Sequence, residues 1–210
     1  MMNSRLTMVD GLDRQDHFFL NEEDVCYYYG EYTARKGFGY SETNQTISNL
    51  KKSVAKKSEY EYKYKEQAII KIAKLLASSI KNGNEFTFVP VPPSKARDHD
   101  LYDDRLCQIL KHYDYLTGSI DWREIVCQQT SLVASHERQD RPTPEQLANN
   151  YVVDQEKLAG VKNNILIFDD MLTTGSHYKA MQSTLSKFAP HTKIMGLFIA
   201  RRVPNADDLF

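Results

Sequence analysis

Cysteine is scarce in this chain of 210 residues, which contains only Cys26, Cys107 and Cys127. The three cysteines are far apart and form no CxxC pair, so we expect reduced thiols, as in a cytoplasmic protein. The sequence also lacks any run of about 18 apolar residues that would predict a membrane span. The first twenty residues include Arg5 and Asp10 and have no apolar h-region, so no secretory signal is expected.

An excess of charge of one sign is lacking as well. The formal net charge is −1 at pH 7, which argues against a globally basic protein that binds nucleic acid directly. The patterns GxGxxG and GxxxxGK followed by Ser or Thr are absent, so neither a dinucleotide-binding fold nor a P-loop NTPase is indicated. Hydrophobic residues make up 41% and charged residues 26% of the chain, as is typical of one globular domain with or without an embellishment.

The residues that are present divide the chain into two compositional parts. Eight of the 13 tyrosines occur at or before Tyr64, and nine lysines fall between Lys51 and Lys81. We predict an N-terminal hood or cap over residues 1–63 and an α/β domain over residues 64–210. The tyrosines either pack on the main body or form a hood over the sheet where bases could stack. The lysines of the helix predicted from Tyr64 are interpreted as its solvated face, with a patch for a polyanion or acidic partner as the alternative.

Helical and strand patterns alternate in the second part. Ala68, Ile72, Leu76 and Ile80 recur every four residues and predict an amphipathic helix. Apolar runs at residues 165–168 and 194–200 predict buried strands, and the helical spacing of residues 180–188 between them completes a βαβ unit. Shorter strands are predicted at residues 86–91, 124–127 and 151–153, and a further helix at residues 102–113. The predicted fold is therefore α/β, with a doubly wound, mostly parallel sheet flanked by helices.

The most specific chemical signal follows the apolar run at residues 165–168. Asp169 and Asp170 come at the carboxyl end of that strand, where ligands bind in open α/β sheets. Residues 173–176, Thr-Thr-Gly-Ser, open the next helix, whose N–H groups, hydroxyls and dipole suit a phosphate. The two carboxylates can accept hydrogen bonds from vicinal hydroxyls or hold Mg²⁺. The combination predicts a ribose 5-phosphate site, and the alternative is a strand end followed by a helix N-cap.

Residues 165–176, with the sequence ILIFDDMLTTGS, closely resemble the phosphoribosyl-pyrophosphate (PRPP) binding motif of type I phosphoribosyltransferases. Over about residues 27–202 the chain is most similar to the ComF-type branch of that family. Residues 88–92 look like its first sheet strand, and residues 129–138 look like the start of its mobile catalytic loop. The four-cysteine zinc module with which that branch usually begins is not matched, so no zinc site is expected. The resemblance implies the type I phosphoribosyltransferase fold and Mg²⁺ as cofactor.

The resemblance also implies roles for individual residues. Asp169 and Asp170 would be catalytic and would take the ribose 2- and 3-hydroxyls together with Mg²⁺. The other substrate-binding residues of the motif would be Met171, Leu172, Thr173, Thr174, Gly175, Ser176 and His177, with the 5-phosphate held by residues 173–176. The pyrophosphate would meet Ser94, Lys95 and Arg97, although the acidic residues between 98 and 104 are unexpected beside it. Arg138 would be catalytic and, together with Arg141, would close over the site from the mobile loop. The alternative is that both arginines are ordinary solvated charges of a loop.

Several functions are compatible with this resemblance. The favoured one is a phosphoribosyltransferase that moves ribose 5-phosphate between pyrophosphate and a nucleobase, a purine being favoured, in either direction. Stand-alone proteins similar to this one also occur as toxins in toxin–antitoxin pairs for phage defence, beside an antitoxin similar to the DNA-processing protein DprA, and would disturb nucleotide pools. The alternatives are a regulator that binds PRPP without turnover and a ComF-type accessory protein of DNA uptake. Homodimers are common in the resembling family.

Overall fold

Alternating strands and helices make up the computed structural model, which describes residues 5–118, 120–131 and 142–204. The strands are β1 (Thr7–Met8), β2 (Cys26–Thr33), β3 (Phe86–Pro90), β4 (Asp121–Trp122), β5 (Val126–Gln128), β6 (Tyr151–Val153), β7 (Asn164–Leu172) and β8 (Lys193–Val203). The helices are α1 (Glu42–Leu50), α2 (Lys63–Ser79), α3 (Arg105–Thr117), α4 (Pro144–Ala148), α5 (Gln155–Leu158) and α6 (Ser176–Phe188). The strands and helices predicted from periodicity are confirmed, with boundaries that shift by a few residues.

Six of the strands form one mixed sheet in the order β1-β2-β8-β7-β3-β4. The neighbours from β2 to β4 are all parallel, whereas the short edge strand β1 pairs antiparallel with β2. Strands β5 and β6 form a separate antiparallel pair. Parallel neighbours need crossover connections, and α6 provides the one between β7 and β8. The mostly parallel sheet flanked by helices confirms the predicted α/β class and is compatible with a doubly wound arrangement.

The central strand β7 shows that both faces of the sheet are covered. Residues 165–168 are successive and all buried, although successive side chains of a strand point to opposite faces. Helices provide the cover: α1 contacts β2, α3 contacts β3 and β7, and α6 contacts β7 and β8. Helix α2 packs against both α1 and α3, and α4 packs against α6. Ile72 and Leu76 lie on the buried stripe of α2, as the four-residue spacing predicts.

Residues before 64 contribute directly to the main sheet. Strand β2 lies next to β8 and pairs with it in parallel from Cys26 to Thr33, so it is hydrogen-bonded in the same sheet as the later strands. Tyr28 and Tyr29 are buried, and the Tyr29 hydroxyl lies 2.6 Å from Ser79 Oγ. These tyrosines pack on the main body, as one of the two interpretations expects. The division of the chain at residue 63 stays a prediction.

The cysteines are unpaired, as the sequence predicts. Cys26, Cys107 and Cys127 are all free thiols, and Cys26 is buried. Burial raises the pKa of the Cys26 thiol to about 12, so this group stays protonated near neutral pH. Among the helices that the structure describes, none combines the length and the apolar character needed to cross a membrane.

Candidate functional site

A cavity of about 420 Å³ lies beside the carboxyl ends of β3 and β7, and its size is typical of small-molecule sites. These strands are parallel neighbours, and the Val91 N–H donates to the Phe168 carbonyl oxygen at 2.9 Å. This register brings the loop after β3 next to the acid pair of β7. The lining residues are Lys51 after α1; Val91, Pro92, Pro93 and Ser94 after β3; Asp103, Asp104, Arg105, Leu106 and Cys107 around the start of α3; Pro142; and Asp169, Asp170, Met171, Thr173, Ser176 and His177.

The two carboxylates of the acid pair have different surroundings. Asp170 is buried, and Lys51 Nζ lies 2.8 Å from its Oδ1. Arg105 donates to Asp170 Oδ2 from Nη2 at 2.5 Å and from Nε at 2.9 Å. Asp169 is half-buried, accepts the Asp170 N–H at 2.7 Å, and forms no ion pair with any residue that the structure describes. Asp170 is therefore satisfied by protein cations, whereas Asp169 has acceptor capacity left for a ligand.

Arg105 belongs to a larger buried network of charges. Asp103 Oδ2 lies 2.9 Å from Arg105 Nη1 and 2.6 Å from Lys65 Nζ. The Lys65 side chain is 1% exposed, and its Nζ also donates to the carbonyl oxygens of Leu50 and Lys52 at 2.9 and 2.8 Å. A lysine is buried to this extent only when its ammonium group is fully partnered. The network therefore ties the turn after α1, helix α2 and the start of α3 together beside the cavity.

The pKa values of the acid pair move in opposite directions. Burial, followed by the negative charge of Asp170, raises the pKa of Asp169 to about 7. Burial also opposes the ionisation of Asp170, but Lys51 and Arg105 outweigh it and hold its pKa well below the usual value. Burial lowers the pKa of His177 to about 4, so this imidazole is neutral at pH 7. Near neutral pH the pair therefore has one carboxylate that is fully charged and one that titrates.

A glycine shapes the loop between β7 and α6, and the N-terminal segment braces it. Gly175 directly precedes α6 with φ +86°, a conformation that is strained for residues with a side chain. The Phe19 N–H donates to the Thr174 carbonyl oxygen at 2.9 Å, and His17 Nδ1 hydrogen-bonds the Thr173 carbonyl oxygen. The first N–H groups of a helix have no partner within the helix, so the start of α6 can supply donors and a positive dipole end to an anion in the cavity.

The three residues predicted to meet a pyrophosphate do not all line this cavity. Ser94 lines it, whereas Lys95 and Arg97 line a smaller neighbouring cleft that also contains Glu124. Arg97 Nη2 lies 3.0 Å from Glu124 Oε1. The structure therefore brings Ser94 together with the acid pair and pairs Arg97 with a carboxylate outside it.

The other predicted residues are placed as follows. Met171, Thr173, Ser176 and His177 line the cavity with the acid pair. Thr174 and Gly175 belong to the loop before α6 without being among the lining residues, and Leu172 is buried in the core. His177 Nδ1 lies 3.2 Å from the Tyr151 hydroxyl. Arg138 and Arg141 lie outside the described residues.

Sequence patterns do not reveal Lys51 and Arg105, the two cations that pair with Asp170. The lysines of the helix predicted from Tyr64 are expected to be solvated, and this is wrong for Lys65, which is buried. Lys51 precedes that helix, and no pattern predicts its contact with Asp170. Arg105 is predicted only as part of a helix. The acidic stretch before it is a partial signal, since Asp103 lines the cavity and is balanced there by two cations.

Four carboxylates line the cavity, those of Asp103, Asp104, Asp169 and Asp170. Among the described residues, no three His, Cys, Asp or Glu side chains come together as a metal-binding group. Mg²⁺ needs only one or two carboxylates, since it keeps several waters and binds substrate phosphates. Asp169 fits such an ion, because it has acceptor capacity left and a nearby cation would favour its charged form. The donor set therefore fits a Mg²⁺ ion held jointly with a phosphorylated ligand.

No protein-family model matches the chain, and a search of curated proteins finds no significant match. The chemistry of the cavity is therefore inferred from its own residues. The described side chains provide a carboxylate with acceptor capacity, Asp169, and two cations, Lys51 and Arg105, next to the N-terminus of α6. These groups together can bind a hydroxylated ligand that carries phosphate.

Proposed function

We propose that the protein is a Mg²⁺-dependent phosphoribosyltransferase that uses or produces PRPP and acts on a nucleobase or nucleotide, with a purine favoured. One observation carries the proposal: the acid pair, the start of α6 and the loop after β3 meet in a single cavity. PRPP has a ribose diol, a 5-phosphate and a pyrophosphate, and the cavity offers carboxylates, a helix N-terminus and cations. The type I phosphoribosyltransferase fold is part of the proposal, and the parallel strands β3, β7 and β8 with the crossover α6 support it.

The proposed reaction depends on positioning and electrostatics more than on a strong nucleophile. Departure of pyrophosphate from the ribose C1 leaves an oxocarbenium-like centre and a polyanion, which fixed charges and dipoles stabilise. The start of α6 and the Thr173 hydroxyl would hold the 5-phosphate. Asp169 would accept hydrogen bonds from the ribose hydroxyls, and its negative charge would favour the positive centre. Bound Mg²⁺, with Asp169 as protein ligand, would supply neutralisation of the pyrophosphate charge.

The direct test is turnover in both directions. The purified protein is incubated with Mg²⁺, PRPP and each nucleobase, and separately with each nucleotide and pyrophosphate, and the products are separated by chromatography. We expect nucleotide formation in the first set, or PRPP and free base in the second. Asp169→Asn should abolish turnover without unfolding the protein, because Asp169 makes no ion pair with a described residue. Asp100→Asn, an exposed carboxylate of the loop before α3, is the matched control.

Two results would contradict this assignment. Full activity of Asp169→Asn would show that the acid pair is not the site. Absence of turnover in both directions together with absence of PRPP binding would overturn the proposed function. Asp170→Asn is a less direct probe than Asp169→Asn, since it leaves Lys51 and Arg105 without their carboxylate and lowers stability as well.

A regulator that binds PRPP or a nucleotide without turnover is the second candidate, and the ion pairs of Asp170 favour it. Both carboxylate oxygens of Asp170 are already paired with cations, so half of the acid pair is closed to ribose hydroxyls in this structure. The same assay separates the candidates. Tight PRPP binding without product in either direction would support the regulator, whereas product formation would exclude it.

The proposal extends to a nucleotide-depleting toxin of a phage-defence pair with a DprA-like antitoxin. The resemblance of residues 165–176 to the PRPP motif supports this extension through the activity that it implies. Expression of the chain in bacterial cells should lower purine nucleotide pools and growth, and Asp169→Asn should not. Co-expression of the DprA-like partner should restore growth. Unchanged pools with an active enzyme would contradict the toxin role alone.

A further inference from the structure

Asp170 holds two cations at the wall of the cavity, one on each carboxylate oxygen. Lys51 Nζ lies 2.8 Å from Oδ1, and Arg105 approaches Oδ2 with Nη2 at 2.5 Å and Nε at 2.9 Å. All three residues line the cavity. This carboxylate is therefore built into the protein's own ion pairs, whereas Asp169 makes no ion pair among the described residues.

The network around these cations carries a surplus of positive charge. Its cations are Lys51, Lys65 and Arg105, and its carboxylates are Asp103 and Asp170, so one positive charge is left over. Lys65 is buried away from a ligand, whereas the Lys51 side chain is 41% exposed. Asp104 and Asp169 also line the cavity, so the attraction for an anion is local to the exposed ammonium group of Lys51 and does not extend over the whole lining.

The main chain at Lys51 is fixed by the same network. Lys65 Nζ donates to the carbonyl oxygens of Leu50 and Lys52, on either side of Lys51. The Lys51 N–H itself donates to the Ile47 carbonyl oxygen at 3.0 Å at the end of α1. The backbone is thus held while the long side chain can reorient from Asp170 to a ligand. Such preorganisation lowers the entropic cost of binding.

We propose that Lys51 and Arg105 form the subsite for the pyrophosphate group of the ligand and that Asp170 is the positioning residue that holds them. The planar guanidinium of Arg105 suits bidentate contact with phosphate, and Lys51 adds a mobile point charge. Asp169 is then the carboxylate that meets the ribose. This inference rests on the proposed function and replaces Arg97, which is paired with Glu124, as a source of positive charge for the pyrophosphate.

The test is calorimetric titration of inorganic pyrophosphate, with and without Mg²⁺, into the full-length protein and four variants. Lys51→Gln should weaken binding about tenfold, since one charge-assisted hydrogen bond is lost, and Lys51→Arg should restore most of it. Lys52→Gln is the matched control, because its Nζ contacts Glu61 and it does not line the cavity. It should bind like the wild type. Without Mg²⁺, Asp169→Asn should keep pyrophosphate binding, and it should lose turnover.

Each outcome decides the inference. Wild-type turnover with unchanged pyrophosphate affinity in Lys51→Gln would overturn the subsite and leave the proposed function intact. If, without Mg²⁺, Asp169→Asn lost as much pyrophosphate affinity as Lys51→Gln, the assignment of Asp169 to the ribose and of Asp170 to the pyrophosphate subsite would be overturned. A wild-type protein that binds neither pyrophosphate nor PRPP would overturn both the subsite and the function. Lys51→Gln keeps the Asp170–Arg105 pair, so thermal unfolding should confirm that it is folded.

Discussion

The buried imidazole of His17 hydrogen-bonds through Nδ1 to the carbonyl oxygen of Thr173, a residue 156 positions later in the chain. A carbonyl oxygen only accepts, so Nδ1 carries the proton in this contact. Phe19 donates to the next carbonyl oxygen, that of Thr174, at 2.9 Å. The N-terminal segment therefore supports the loop before α6 through its main chain, and the position of that loop depends on residues far away in the sequence.

The hydrogen bond from His17 Nδ1 predicts that replacement of His17 by Asn and replacement by Gln differ in their effect on stability. His17→Asn keeps an N–H near the position of Nδ1, whereas His17→Gln and His17→Ala do not. We expect the latter two to lose about 1 kcal/mol of unfolding free energy, because a partly buried carbonyl oxygen loses its donor. They should also raise the KM for PRPP more than they change kcat. Urea unfolding and steady-state kinetics measure both effects, and equal behaviour of the Asn and Gln variants would contradict the role given to Nδ1.

Comparison of Ala variants at Gly175 and Gly160 distinguishes the effect of backbone strain from an effect on the candidate site. Both have positive φ, +86° and +72°, but a Cβ at Gly175 would lie 2.9 Å from Leu20 Cδ2, whereas a Cβ at Gly160 would meet nothing within 4 Å. Each Ala variant should lose about 1 kcal/mol of stability from the left-handed backbone. We expect only Gly175→Ala to weaken PRPP binding as well, since the loop before α6 must shift. Thermal unfolding and calorimetric titration of PRPP test this, and weakened binding in Gly160→Ala would contradict it.

The raised pKa of Asp169 predicts that stability falls as pH rises. Its pKa of about 7 in the folded protein exceeds its ordinary value of 3.8, so the folded state holds the proton more tightly than the unfolded state. Stability is therefore lost between about pH 4 and pH 7, and the loss persists at higher pH. Asp169→Asn should raise Tm at pH 8 by several °C and should have little effect at pH 4. Equal Tm shifts at the two pH values would show that the folded-state pKa is not raised.

Lys65 is expected to be the most important lysine of its helix for stability. Lys65→Met removes a buried charge with three partners and should cost about 3 kcal/mol of unfolding free energy. Lys74→Met, an exposed position of the same helix α2, should change it by less than about 0.5 kcal/mol. Urea unfolding of both variants provides the comparison. A loss at Lys65 no larger than that at Lys74 would mean that the buried network does not stabilise the fold.

Local patterns in the sequence determined the secondary structure around the site. The apolar run of residues 165–168 required a strand covered on both faces, and the spacing of residues 180–188 required an amphipathic helix directly after the acid pair. These requirements involve neighbours in sequence and depend little on the rest of the fold. For that reason β7, α6 and β8, together with the position of Asp169 and Asp170 near a strand end, could be predicted from the sequence.

The partners of those carboxylates were decided only by the tertiary structure. Lys51 and Arg105 come from separate parts of the chain, and nothing in their local sequence distinguishes them from solvated cations such as Lys74. Their contacts with Asp170 depend on how α1, α2 and α3 pack beside the sheet. The placement of β2 next to β8 likewise depends on long-range pairing. Side-chain partners across such distances are set by packing and burial of charge, which periodicity in one segment does not encode.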